Sequence, residues 1–205
     1  MTNIRYTLLA DGTSDSALLR PLQWLVEHHF PGLRTVPQFA QHDLPARAGL
    51  EARITEALQA YPCEVLFVHR DAEREPYDTR VLEIENVMAA TAQQHWIPVV
   101  PVRMTEAWLL GSEEAIRSAV GNRNGRISLG LPNRSQWERL PDAKETLFEC
   151  IRTASELRGR RLASLQVRRI RQLVAQYTED FGHLRGMESF DVLERHVVNV
   201  FGQFG

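Results

Sequence analysis

The stretch Val65-Leu66-Phe67-Val68-His69-Arg70-Asp71-Ala72-Glu73 decides how this chain is read. Its first half is a short run of β-branched and aromatic residues, the mark of a strand buried on both faces, and a strand is expected over Glu64–His69. Its second half leaves that strand through two carboxylates one residue apart, which in an extended loop point the same way. Two other strand ends repeat the pattern. Asp11 follows Tyr6-Thr7-Leu8-Leu9, and Glu106 lies just past Val99-Val100-Pro101-Val102. In a parallel sheet all three spots fall on one edge, where clustered carboxylates suit a hard divalent cation held against a phosphate.

Working outward, strand and helix alternate through the first half. Ile4–Leu9 is the first strand and Asp11-Gly12-Thr13-Ser14-Asp15 the turn after it. Leu18, Leu19, Leu22, Leu25 and Val26 then recur at helical spacing until Pro31-Gly32. Thr35–Ala40 reads as a second strand, and Pro37 puts it at a sheet edge because proline cannot donate to a ladder. A helix is expected over Ala46–Ala60, another over Thr79–His95, a fourth strand over Trp96–Val102, and a further helix starting at Thr105 as its N-cap. Such alternation predicts a parallel sheet with helices on both faces, which binds ligands beyond the carboxyl ends of its strands. The expected organisation is an α/β domain over 1–120, a polar loop over 121–141, and a helical extension over 142–205 packed on the same domain. Helices are expected there over Asp142–Leu157, Leu162–Tyr177 and Phe190–Phe201.

The charge is uneven. Residues 1–110 carry 9 arginines against 14 acidic residues, whereas 117–171 carry 13 basic against 5 acidic. The basic stretch includes Arg158, Arg160, Arg161, Arg168, Arg169 and Arg171, a pattern that fits either a polyanion such as a nucleic-acid backbone or a solvated helix face. The longest apolar runs are too short to cross a bilayer, and Met1–Arg5 does not open a secretory signal. Cys63 and Cys150 lack metal or redox spacing and read as free buried thiols of a cytoplasmic protein.

Each candidate residue has a structural alternative. Asp11 beside Gly12 reads as functional, while Asp15 reads as a first-turn acid favoured by the helix dipole. Asp71 and Glu73 read as ligands of one shared ion or of two. Arg70 and Arg74 beside them read as phosphate clamps or as neutralising ion pairs. Glu106 reads as a further ligand or a water-positioning base. Lys144 is the single lysine among 23 arginines, at a helix start that disfavours a cation, so it reads as a phosphate grip or as a surface residue. His69, at a strand end beside the acidic loop, reads as a satisfied strand-end histidine rather than as a group that orients a ligand. The seven histidines show no zinc spacing, and no G-x-x-x-x-G-K-[ST] loop is present. Leu9 occupies the place where haloacid-dehalogenase-type phosphatases carry a nucleophilic aspartate, which excludes that chemistry.

Several segments taken together resemble the Toprim fold and, more closely, an uncharacterised Toprim-like family related to the overcoming-lysogenization-defect nucleases. They are Asp11-Gly12-Thr13-Ser14-Asp15, His69-Arg70-Asp71-Ala72-Glu73, Arg103-Met104-Thr105-Glu106-Ala107-Trp108-Leu109-Leu110, Pro141-Asp142-Ala143-Lys144-Glu145, and Asp180-Phe181-Gly182-His183-Leu184-Arg185 with Ser189-Phe190. The resemblance implies a Toprim-like (Rossmann-like) sheet of about four strands with a C-terminal helical extension. It also implies Mg²⁺ or Mn²⁺ as cofactor, catalytic and metal roles for Asp11, Asp71, Glu73 and Glu106 with Lys144 assisting, and DNA or RNA as substrate. Such proteins are often encoded beside ATPases of the ABC, SMC or AAA type, which makes an ATPase an expected partner. Toprim proteins usually carry glutamate where this chain has Asp11, which shortens the reach of that carboxylate. The leading expectation is therefore a metal-dependent nuclease. The alternatives are a non-catalytic Toprim-like scaffold that binds an ATPase and nucleic acid, and a nucleotide-binding phosphotransferase.

Overall fold

The apolar runs of the first half pair as parallel strands in a computed structural model that describes residues 3–40, 48–72, 75–102 and 105–205. By its internal contacts the chain divides into two compact units, Met1–Val102 with Gly186–Gly205, and Arg103–Arg185. The first holds the sheet: β1 (Ile4–Leu9), β2 (Thr35–Phe39), β3 (Val65–His69) and β4 (Trp96–Val99), in the order β2-β1-β3-β4. All three pairings are parallel. The expected α/β class with a four-stranded parallel sheet flanked by helices is thus what forms, compatible with a Rossmann-like fold. β2 is an edge strand, and Pro37 sits within it opposite Tyr6. An edge position leaves a strand residue without an N–H at no cost to a second ladder.

Alternation along the strands divides the core between two faces. Leu9, Leu66 and Val68 bury one face against Leu50, Ile54 and Ala57 of α2 (Leu50–Ala60) and Ile84 and Met88 of α3 (Tyr77–Met88). The other face is aromatic. Tyr6 and Phe67 meet edge to face with ring centroids 5.4 Å apart, and Phe201 lies 6.0 Å from Tyr6 and 6.1 Å from Phe67. Phe201 comes from α8 (Glu188–Phe201), which packs on β4 and on α1 (Leu19–His29). The expected helical extension is thereby shared. Through Arg185 it belongs to the second unit, and α8 returns to the sheet.

Several elements are shorter than their periodicity suggested. α3 stops at Met88 rather than His95, where the Thr91 hydroxyl and N–H both donate to the Met88 carbonyl. β4 stops at Val99 rather than Val102, since Pro98 and Pro101 supply no N–H. The pairing nevertheless continues in two separate bonds: Arg70 N–H donates to Val99 O at 3.2 Å and Ala72 N–H to Pro101 O at 3.2 Å. These tether the start of the Asp71 loop. α2 is described from Leu50, and the expected start at Ala46 lies outside the described residues.

The second unit is helical: α4 (Glu113–Ala119), α5 (Ala143–Ser155), α6 (Gly159–Ala163) and α7 (Val167–Tyr177), with 3-10 turns at Thr105–Leu109, Arg134–Arg139 and Gly182–Leu184. Thr105 therefore opens a 3-10 turn rather than capping a further α-helix, and the 121–141 stretch carries a 3-10 turn of its own. Caps account for the helix starts. Ser112 accepts from the N–H of Ala115 and Asp142 from that of Glu145. α5 ends where Glu156 adopts a left-handed φ of 52°. Its carboxylate accepts from the N–H groups of Arg126 and Ile127, which pins the polar stretch and lowers the carboxyl pKa. Gly111 is needed for packing, since a Cβ there would lie 2.0 Å from Cδ2 of His183.

Phe201 contacts both central strands from a helix remote in sequence, so Phe201→Ala should cost about 3–5 kcal/mol of stability. Urea denaturation followed by far-UV circular dichroism measures it, and an unshifted midpoint would remove α8 from the core.

Candidate functional site

Strand register builds the site. Leu9 pairs with Val68 and His69 with Val99, so the turn after β1 and the loop after β3 leave the sheet side by side at its carboxyl edge. Asp11, Asp15, His69, Arg70 and Asp71 gather there, with Arg53 reaching in from α2.

Asp11 is held by two arginines. Its Oδ1 accepts from Nη1 of Arg53 at 2.8 Å, and its Oδ2 lies 3.1 Å from Nε of Arg70. Arg53 is buried, and its Nη2 donates to the Ala10 carbonyl. Arg70 also donates to Glu83 at 2.6 Å, and Glu83 takes a second bond from Arg80 at 3.0 Å. A guanidinium taken out of water needs anionic or carbonyl partners, and Asp11 serves two of them. Its negative charge is met by cations, unlike that of an open ligand.

Asp15 occupies the first turn after Gly12, where its Oδ2 accepts from the Gly12 N–H at 3.0 Å and its Oδ1 from the Ser14 hydroxyl at 3.3 Å. It is buried, at 8% exposure. His69 lies between it and Asp71. The His69 Nδ1 is 2.9 Å from the Val99 carbonyl. A carbonyl only accepts, so Nδ1 carries a proton, and whenever Nε2 is unprotonated it offers a lone pair. Nε2 sits 3.6 Å from Oδ1 of Asp71 and 3.9 Å from Oδ2 of Asp15. Both separations exceed a hydrogen bond, and this fully buried nitrogen has no hydrogen-bond partner. Burying an unpaired polar nitrogen is costly.

The other expected residues lie elsewhere. Glu73, with Arg74, falls outside the described residues, as do Arg103 and Met104. Glu106 belongs to the second unit and is buried in an ion pair with the equally buried Arg171 of α7 at 3.2 Å. Their apolar surroundings explain the pairing: Trp108, Ala107 and Leu109 flank Glu106, and all are buried. Arg171, expected on a nucleic-acid face, is thus engaged in the core. Arg158, Arg160, Arg161, Arg168 and Arg169 are exposed on α6, α7 and the segment before them. None of them has an ion pair among the described residues. Lys144 is exposed on the first turn of α5.

The cysteines play no part. Burial pushes the Cys150 thiol up to about 11 and raises that of Cys63, so neither is a thiolate nucleophile near neutral pH.

Among the described residues no three histidine, cysteine or acidic side chains stand in a ready-made metal-binding group. Asp15 and Asp71 each place a carboxylate oxygen within 4 Å of the buried His69 Nε2, which has no hydrogen-bond partner. Reading the sequence missed Arg53 and gave Asp15 and His69 their structural readings rather than site roles. Arg53 left a signal, since it sits on the apolar stripe of Leu50, Ile54 and Ala57, where an arginine must find a buried partner. His69 left another, because it falls on the buried face of β3 with Phe67.

Comparison with known proteins finds no matching family model, no matching curated protein and no matching solved structure. Among the described residues no helix is long and apolar enough to cross a membrane.

The Glu106–Arg171 pair separates buried from exposed arginines. Arg171→Ala should cost about 3–5 kcal/mol by leaving a buried carboxylate unpaired, while Arg160→Ala should stay within about 0.5 kcal/mol. Guanidinium chloride denaturation of both variants checks this, and two equally small effects would count against a closed pair.

Proposed function

We propose that the chain is a Toprim-like phosphodiesterase that cuts DNA or RNA with Mg²⁺ or Mn²⁺ at the carboxyl edge of its sheet. The observation that carries this reading is that, beyond the ends of β1 and β3, Asp11 meets Arg53 and Arg70 while Asp15 and Asp71 lie on either side of His69. Carboxylates for a cation beside guanidiniums for an anion are what a metal–phosphate substrate requires.

Asp15 and Asp71 would hold the ion, and Glu73, two residues after Asp71 in the sequence, is a further candidate carboxylate. A bound divalent ion would supply a water of lowered pKa and stabilise charge on the leaving oxygen. Arg70, about a fifth exposed, would grip a phosphate oxygen in exchange for Asp11. Arg53 is buried and tied to Ala10 O, so it would orient Asp11 and the turn rather than move. The exposed arginines from 158 to 169 would hold a nucleic-acid backbone without reading bases. Exposed Lys144 is available for the same work. Glu106 takes no ligand role in this reading, because its carboxylate is engaged by Arg171.

One observation favours a second reading, a non-catalytic scaffold that binds an ATPase partner and nucleic acid. Asp11, the acid expected to take part in catalysis, is paired with two guanidiniums. A scaffold can keep the sheet and the basic face while its site closes on itself.

Supercoiled plasmid incubated with the purified protein and Mn²⁺ should be nicked, and Asp71→Ala should slow nicking about hundredfold or more, since a ligated ion contributes several kcal/mol. Undiminished nicking by Asp71→Ala would remove the site. No nicking, together with no calorimetric binding of Mn²⁺ or Mg²⁺, would favour the scaffold.

A further inference from the structure

From the geometry around His69 we infer that its Nε2 is a metal ligand beside Asp15 and Asp71, and that it makes the site selective for Mn²⁺, or a first-row ion like it, over Mg²⁺. This deepens the metal reading above and rests on it.

Three observations converge on the imidazole. Its side chain has no solvent exposure, and Nε2 lacks a hydrogen-bond partner. That nitrogen is aimed between two carboxylates that approach it from different segments, Asp15 in the turn after β1 and Asp71 in the loop after β3. Finally, Nδ1–H donates to the Val99 carbonyl. Metal-binding histidines are commonly oriented in this way, with one ring nitrogen donating to a carbonyl so that the lone pair of the other faces the ion.

The spacing agrees. Ligand atoms about 2.1 Å from a common ion stand about 3–4 Å apart across ordinary coordination angles. The separations of 3.6 Å and 3.9 Å lie in that range and are too long for direct hydrogen bonds. Asp15 is fixed by Gly12 N–H and Ser14 Oγ. Asp71, on a loop and a quarter exposed, is the ligand that adjusts to close the set.

Selectivity follows from donor type. Mg²⁺ takes oxygen and keeps its waters, whereas imidazole nitrogen favours first-row transition ions. Two carboxylates would accept either ion, and an imidazole beside them tips the choice. The same strand-end position filled by an oxygen donor or an apolar residue would lack that preference.

The test measures metal binding directly, with Mn²⁺ and Mg²⁺ titrated into the full chain and pulsed electron paramagnetic resonance recorded on the Mn²⁺ form. Wild-type protein should bind Mn²⁺ at least about tenfold tighter than Mg²⁺ and show nitrogen modulation from one imidazole. His69→Asn retains a donor for the Val99 carbonyl but removes Nε2. It should lose the modulation and about tenfold or more in Mn²⁺ affinity, with little change for Mg²⁺. Mn²⁺ bound in an Asp71-dependent manner without nitrogen modulation, or with selectivity intact in His69→Asn, overturns this inference and leaves the metal reading standing. No Asp71-dependent binding of either ion overturns both. Should His69→Asn fail to fold by circular dichroism, the nitrogen signal of the wild-type protein decides alone.

Discussion

Parallel pairing of β1 with β3 is the constraint on which the rest depends. Once Leu9 lies opposite Val68, the turn carrying Asp11 and Asp15 and the loop carrying His69 and Asp71 must leave the sheet together. The pairing is held from both faces. Leu9, Leu66 and Val68 pack under α2 and α3, while Tyr6 and Phe67 pack on Phe201. A register slip of one residue would exchange those faces and bury the wrong side chains. Hydrophobic packing therefore sets the position of the polar groups above it.

Those polar groups divide into two lobes. On one side Arg53 and Arg70 share Asp11, and Arg70 and Arg80 share Glu83. On the other, Asp15 and Asp71 flank the His69 imidazole. The first lobe compensates its charges internally. The second places a buried nitrogen among acids with no hydrogen bond to it. Desolvation makes a buried nitrogen without a hydrogen bond costly unless a further partner completes it.

Much of the scaffold was legible from the order of residues. The strand starts at Ile4, Thr35 and Trp96, the third strand to within one residue of the expected Glu64, and the edge position of β2 follow from short apolar runs, alternation and Pro37. Element ends were less legible, because Thr91 and the prolines of the β4 segment stop their elements through local bonds that hydrophobic periodicity does not record. In the site, Asp11 and Asp71 were placed at the sheet edge from their positions after strands. Glu106 shared that position, but its burial with Arg171 could not be read from spacing. That pair joins a 3-10 turn to a helix some sixty residues on, and nothing local announces it.

Composition and periodicity alone determined an α/β chain with a parallel sheet, acids after its strands and a basic stretch in its second half. They suffice because burial of apolar side chains is a short-range pattern, repeated every two or every three to four residues. Which charge meets which was decided only by the tertiary structure. Ion pairs and metal ligands form between residues distant in sequence, and the low-dielectric interior fixes their partners through geometry that no local pattern encodes. Asp11 between two arginines, Arg171 on Glu106, and His69 between two carboxylates are all outcomes of that kind.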